Sequence, residues 1–510
     1  MKINQLKAGS ILSYVQMALS IIVGLLYTPV MTRMLGQGEY GLYQTVASTV
    51  AMLSVLSLGF NGSYIRYYSR YKQNNDEDSI CRLNGLFIII FSVIGLVALC
   101  CGLFLSQNLT LVFADGLTAE EYKIARVLMI LLTVNLALSF PMSVFSSIIS
   151  AHERYVFLKL LGMLKTVGGP LVTLPLLLLG YRSIAMVSIT LAVSVVTDVT
   201  YFIFVKRVLK SRFYFTKFPK GLFKELFVFT IFIALNLIVD QINSSMGNVL
   251  LGRFKGTVAA SIFGIGYQLY QYYIVFSTSV SNVFSPRIHR IVNETSDNRA
   301  LQRVELSELF TKVGRIQFMV LGLIATGFAF FGKPFVHYWA GKEYGSSYWV
   351  ALLLMVSASI ALIENLGIEI QRAQNLHKFR SIVYIFMALM NLCVSAVLAQ
   401  KIGAIGCAIG TACSLIVANG FVMNIYYQKK CNIDILSFWR SILRLSLALV
   451  LPMAAGFTMM YFVNLFTLKN LLCCIAGYAV VYAVSVWFIG MNQYEKELIL
   501  KPLSKIFKWN

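Results

Sequence analysis

The chain is 510 residues long, room for about three soluble domains, yet 58% of it is hydrophobic and only 13% charged, a balance outside the soluble globular range. Its net charge of +22 raises nucleic acid as a partner, but no loop is long enough to hold a folded binding module, and the basic residues follow a membrane topology instead. Nucleic acid is therefore excluded, and an all-α polytopic membrane protein remains.

Fourteen apolar runs of roughly 20 residues, each long enough to cross ~30 Å of hydrocarbon as a helix, are predicted at 8–32, 40–63, 83–106, 124–149, 156–179, 183–205, 225–251, 258–285, 312–332, 347–371, 380–400, 403–427, 438–464 and 468–490. Lys2 and Lys7 precede the first run as in a signal peptide. The run is too long for a signal core and leads into PVMTRMLG without an A-x-A-like site, so it is read as retained. Most of the 43 Lys and Arg fall on one side of the alternating spans, and Lys206 to Lys224 alone carries seven. That excess makes the side cytoplasmic and places both termini there. Gln73, Lys217 and Arg299 are then inside, and Gln107, Thr118 and Lys342 outside.

Polar residues within these runs are the candidates for function, because an ionisable group in hydrocarbon needs water, a partner or a ligand. The first span carries Gln16, Ser20, Gly24 and Tyr27, then Pro29 as a bending point and Arg33 at the outer end. Pro141 in span four and Pro170 and Pro175 in span five are further bending points. Lys165, about nine residues or roughly 14 Å from the inner end of span five, is the deepest cation, and Asp198 sits alone in span six. In span seven Asn236, Asp240, Asn243, Ser244 and Gly247 share one helical face, and Arg253 ends the span. Span eight adds Gln268 and Gln271 among Tyr267, Tyr270, Tyr272 and Tyr273, a set that suits sugar hydroxyls and rings or bonds between helices. Span ten holds Glu364, and Glu369 and Arg372 at a spacing that can pair. Beyond span fourteen, residues 491–510 alternate Lys with apolar residues, as a dispensable interfacial anchor would.

Metal and nucleotide chemistry find no support. The nine cysteines show no C-x-x-C pairing and mostly sit in apolar spans, and none of the four histidines forms H-E-x-x-H. No G-x-x-x-x-G-K-[ST] occurs, so no cofactor is expected, and energy would come from a proton or Na⁺ bound at a buried carboxylate such as Asp240 or Glu364, or from consumption of product outside.

An internal repeat gives the architecture. A shift of 220 residues lays RMLGQGEYGLY (Arg33 to Tyr43) over RFKGTVAASIF (Arg253 to Phe263), matching Arg33 with Arg253 and Gly36 with Gly256. It also lays Gln16 and Ser20 over Asn236 and Asp240, so the polar face recurs, and AHERY later lies opposite AQNLHKF. An even number of spans separates the copies, which predicts parallel repeats of six helices around a shared cavity. The expected divisions are an N-terminal lobe over 1–215, a C-terminal lobe over 216–432, two extra helices over 433–490 and the tail over 491–510.

The chain resembles bacterial oligosaccharide flippases through LLYTPVMTRMLGQGEYGLYQTV, YIRYYSRY, SSIISAHERY, IVDQIN, LGRFKGTVA and GIEIQRAQNLHKFRS, which together cover almost its whole length. The flippase group belongs to a superfamily that also contains multidrug extruders and lipid II flippases. The resemblance implies two six-helix lobes about a central cleft, a polyprenyl-diphosphate-linked glycan as cargo, the bacterial cytoplasmic membrane as location, and polysaccharide polymerase machinery as partner. A multidrug antiporter of the same fold is the alternative, and it would want an acidic cleft that Lys165 opposes. A membrane-embedded glycan polymerase or transferase would need acid-base groups in a large aqueous loop. The longest loops carry no paired carboxylates beyond NNDED (Asn74 to Asp78), which a solvated turn explains, so the chain reads as a non-enzyme.

Overall fold

A computed structural model describes residues 4–114, 117–216, 222–295, 297–498 and 500, and no strand occurs among them. The chain divides into two compact units: Met1–Gly264 with Leu392–Cys407, and Ile265–Asn391 with Ala408–Asn510.

The first unit contains α1 (Gln5–Met52), α2 (Phe60–Gln73), α3 (Glu77–Gln107), α4 (Ala119–Ala151), α5 (Tyr155–Leu178), α6 (Ser183–Arg207), α7 (Leu222–Phe254) and the start of α8 (Thr257–Glu294). Local chemistry sets the helix starts. Asp76 accepts the Ser79 N–H at 2.9 Å ahead of α3, and Thr118 with Glu121 forms a capping box on α4, the Thr118 N–H reaching the carboxylate at 2.9 Å. The core gathers aromatic side chains of α2, α3 and α4: Phe60, Tyr64, Phe87, Phe91, Phe140 and Phe145. α3 approaches α4 so closely that a Cβ on Gly102 would stand 2.2 Å from a Thr133 methyl, the small-residue contact that lets membrane helices pack backbone to backbone.

The second unit contains the rest of α8, then α9 (Arg299–Trp339), α10 (Ser347–Ile363), α11 (Leu366–Ala373), most of α12 (His377–Ile402) and α13 (Ala404–Leu415). A π-helical segment, Ile416–Met423, leads into α14 (Asn424–Lys429), followed by α15 (Ile435–Ser446), α16 (Val450–Phe462) and α17 (Leu468–Ser485). Tyr478 and Tyr482 of α17 pack with Phe330 and Phe331 of α9, and the two tyrosine hydroxyls donate to Thr326 Oγ1 at 2.7 Å and to the Met319 carbonyl at 2.8 Å. In both units large apolar side chains face outward, among them Leu26, Leu164, Val196, Phe421 and Phe462, as hydrocarbon solvent requires.

Each of the fourteen expected spans falls on helical segments. Among the described residues ten helices are long and apolar enough to cross a membrane, eleven counting the pair α10 and α11, which bends by 40° at Glu364 and Asn365. One of the ten, Ala8–Gln73, carries the first two expected spans in a single run, while α7 and α8 are not among them.

The repeat is written into the backbone. Gly36 (φ 72°) and Gly256 (φ 82°) are both left-handed, and each breaks a helical run. So are Glu153 (φ 58°) and Asn375 (φ 57°), Gly180 (φ 91°) and Gly403 (φ 63°), and Lys210 (φ 50°) and Asn432 (φ 56°). Left-handed non-glycine residues are uncommon. Their recurrence at nearly the same offset means that the two copies share their turns and not only their hydrophobic pattern.

Candidate functional site

In the first unit the polar faces of α1 and α7 divide into a packed part and an open part. On α7, Asn236 and Asp240 are exposed and Asn243 is half-buried; on α1, Ser20 is exposed and Gln16 half-buried. One residue further around α7, Gln241, Ser245 and Asn248 form a second polar stripe turned inward. Asn248 donates to Ser48 at 3.0 Å, Ser54 donates to Gln241 at 3.4 Å, and Gln241 donates to Ser245 at 2.5 Å. The open stripe is legible in the sequence and this one was missed, although its spacing of four and three is the same signal. Gly247, expected on the polar face, lies against the Phe263 ring instead.

Gln16 also lines a cavity of ≈ 500 Å³ in this unit, with Ser10, Ser13, Tyr155, Lys159 and Tyr201. It has room because α5 carries Gly162 opposite, where a Cβ would meet the Gln16 amide at 2.6 Å. Lys159 and Tyr201 were not anticipated. Deeper along α5, Lys165 is exposed, and its charge acts on the half-buried Asp198 of α6, a neighbour the sequence reading did not propose.

At the other end of these helices the candidates hold structure. Tyr27 shares a hydrogen bond with Thr173. α1 continues as a helix through Pro29, whose carbonyl accepts from Thr32 Oγ1 at 3.2 Å, and departs from helical geometry at Gly36. The helices also continue through Pro141, Pro170 and Pro175. Arg33 is exposed. Arg253, also exposed, donates to the carbonyls of Leu111 at 2.5 Å and Thr110 at 3.3 Å, so the end of α7 clamps the α3–α4 connection.

In the second unit α8 carries an amide and phenol platform. Gln268 donates to the Tyr272 hydroxyl and Gln271 to that of Tyr267, both at 2.8 Å. Neither amide group is held against another helix by these bonds. Glu369 and Arg372 pair at 2.6 Å, and Ser285 donates to the same carboxylate at 2.9 Å. Glu364 is buried where α10 meets α11. A further ionic contact was not legible: Arg315 of α9 binds Glu495, beyond α17, with two hydrogen bonds of 2.6 and 2.9 Å.

The polar positions of the first unit lie on a stretch that comparison with known proteins assigns. The profile described as polysaccharide biosynthesis protein matches residues 6–292. The chain belongs to the polysaccharide biosynthesis protein family. No curated protein sequence matches it. Among solved structures, this family member is similar to a lipid II flippase MurJ in an inward closed conformation, at 17% identity over 94% of this chain and 98% of that one, with a TM-score of 0.65. It is similar to an inward-facing multidrug resistance MATE family transporter of the MOP superfamily at 16% identity, over 81% and 96% of the chains, with a TM-score of 0.65. A MOP superfamily transporter from Pyrococcus furiosus, titled for the reverse polarity of its binding pocket, matches at 16% identity over 84% and 96%, with a TM-score of 0.55. At these identities the structures establish the fold, an all-helical membrane protein architecture shared by lipid flippases and drug transporters.

Proposed function

We propose that the protein is a flippase that moves polyprenyl-diphosphate-linked oligosaccharides from the inner to the outer leaflet of the bacterial cytoplasmic membrane, supplying polysaccharide synthesis, with both termini in the cytoplasm. The observation that carries this reading is the exposure of Ser20, Lys165, Asn236 and Asp240 along otherwise apolar helices of one compact unit. Lipid contact at those positions is costly, so they line an aqueous path. Lys165 and Lys159 supply charge for a diphosphate, and the amides and hydroxyls of Gln16, Ser20, Asn236 and Asn243 supply partners for sugars. Membership in the polysaccharide biosynthesis family supports a glycan over a drug as cargo.

Alternating access by two six-helix lobes, 1–215 and 216–432, accompanies this proposal, as does a polymerase that consumes the delivered units. The test is depletion of the protein followed by analysis of inner-leaflet lipids. A polyprenyl-diphosphate-linked oligosaccharide should accumulate and disappear on re-expression. Unchanged lipid-linked sugars, together with dye uptake into vesicles that depends on this protein, would establish the multidrug reading instead.

A further inference from the structure

Glu364 is 2% exposed and stands at the break between α10 and α11. Hydrogen bonds from α8 and α9 fix that break. Ser277 of α8 donates to the Leu362 carbonyl at 2.8 Å, and Asn365 donates to Ser281 of α8 at 3.0 Å. Gln317 of α9 donates to the same Ser281 at 2.7 Å. The carboxyl itself is served differently. Its Oε1 is buried without a hydrogen-bond partner, and no ion pair among the described residues includes it.

The polar groups beside the carboxyl are the Asn424 amide and the Trp439 indole, both neutral. Both lie within hydrogen-bonding reach of the carboxyl, and both also bond elsewhere: Trp439 Nε1 donates to Asn424 Oδ1 at 2.9 Å, and Asn424 Nδ2 donates to the carbonyls of Asn419 at 2.7 Å and Gly420 at 3.2 Å in the π-helical segment. The chain continues outward, since Tyr384 of α12 donates to Asn419 Oδ1 at 2.5 Å and Arg380 donates to the Tyr384 hydroxyl at 2.9 Å. Charged and titratable groups on the surrounding elements are committed to other partners. Arg315 of α9 holds Glu495, and Arg372 of α11 holds Glu369. Arg380 of α12 acts on Tyr427 of α14, the phenol that faces Glu364, and the Cys431 thiol bonds Gln371.

A buried carboxylate with neutral neighbours and an empty oxygen is among the costliest arrangements a fold can hold. A metal cation would need several free oxygens, but the Asn424, Asn419 and Gly420 oxygens nearby already accept bonds, and no cluster of metal-binding side chains occurs among the described residues. A proton needs only the carboxyl. Resting on the flippase reading for its purpose, we propose that Glu364 is the proton-binding site of the transport cycle, occupied in this conformation and emptied to water when the α10–α11 break rearranges. The network from Asn424 to Arg380 is the polar route along which the π-helical segment senses that change. π-Helical turns inside α-helices often mark such functional positions.

The test uses the full-length protein reconstituted in lipid vesicles, read by infrared difference spectroscopy between neutral and alkaline pH. Wild type should show a carboxylic-acid carbonyl band that converts to carboxylate and shifts with isotopically labelled glutamate. Glu364→Gln, which keeps the shape of the protonated acid, should lose that band. An unlabelled-position band, or one retained in Glu364→Gln, overturns the proposal, and the labelling experiment decides it in wild type even if the variant fails to accumulate. In the same vesicles, an imposed pH gradient should accelerate flipping of lipid-linked oligosaccharide by wild type and not by Glu364→Gln, while a Na⁺ gradient does nothing. Na⁺ dependence would overturn the proposal. A titrating Glu364 band in a protein that flips no glycan would refute the flippase reading and leave the proton site standing.

Discussion

Gly36 and Gly256, 220 positions apart, both turn the chain through left-handed backbone with φ of 72° and 82°, and a Cβ on either would meet nothing within 4 Å. The glycine is therefore required by conformation and not by space. Replacement by alanine should cost roughly 1–2 kcal/mol at Gly256 through the left-handed penalty and roughly 1–3 kcal/mol at Gly36, whose φ of 72° with ψ of 172° is a region that glycine almost alone occupies, so that Gly36→Asn should cost as much as Gly36→Ala. Thermal unfolding in detergent would show these losses. Equal melting temperatures for wild type and Gly36→Ala would mean that the break is not held by the glycine.

Arg315 and Glu495 form a buried, two-pronged ion pair, with side-chain exposures of 9% and 2%. Arg315 also donates to the Gly490 carbonyl at 2.8 Å and to Ser441 Oγ at 3.1 Å, which ties the end of the described chain to α9 and α15. Removing one partner strands the other, so Glu495→Gln should destabilise the protein by about 3–5 kcal/mol, whereas Arg315→Met with Glu495→Leu should regain most of the loss. The tail after this pair was expected to be a dispensable interfacial anchor, and its residues 501–510 lie outside the described residues. Deleting 496–510 should preserve transport, and extending the deletion through Glu495 should not. Loss of transport from the shorter deletion alone would assign the tail a function.

His152, in the turn after α4, should make the protein acid-sensitive. Its Nδ1 lies 2.9 Å from the Ile148 carbonyl, and its Nε2 lies 3.1 Å from the Tyr68 hydroxyl; the carbonyl requires Nδ1–H to donate, and in the neutral ring Nε2 then accepts from the hydroxyl. Burial, chiefly, holds its pKa below the usual 6.5, the Ile148 bond opposes this, and Lys72 and Arg154 add repulsion. The unfolded chain binds the proton more readily, so this contribution is complete above the ordinary histidine range and is lost as pH falls through it toward the folded value. Denaturation profiles between pH 8 and 5, about the span in which histidine titrates, should fall more steeply for wild type than for His152→Gln. Parallel profiles would exclude the histidine as their cause.

The spans were legible because apolar length is a direct requirement of the bilayer, and the repeat because Gly36 and Gly256 mark conformations few other residues adopt. The pairings were less so. Sequence alone shows only how deep Lys165 and Asp198 lie in their spans; the structure sets Lys165 against Asp198, since α5 and α6 are neighbours in the first unit. Likewise the sequence does not single out Arg315, because its partner Glu495 is distant along the chain. Helical period identifies which residues share a face. It does not say which face of which neighbour they meet.

That distinction decides the last prediction. Asp240 is exposed and Lys165 has Asp198 near it, so Asp240→Asn should not strand Lys165, while glycolipid translocation falls sharply. Lys165→Met should also impair translocation by removing a cation from the diphosphate's path. A double-mutant cycle of Lys165→Met with Asp198→Asn should show stability coupling, and one of Lys165→Met with Asp240→Asn should show none. Translocation and unfolding measured on the same six proteins separate the roles. If Lys165→Met restored transport to Asp240→Asn, the aspartate would have served to balance the lysine, and its place in the aqueous path would be refuted. Undiminished transport by Asp240→Asn alone would show that neither its charge nor its proton is used.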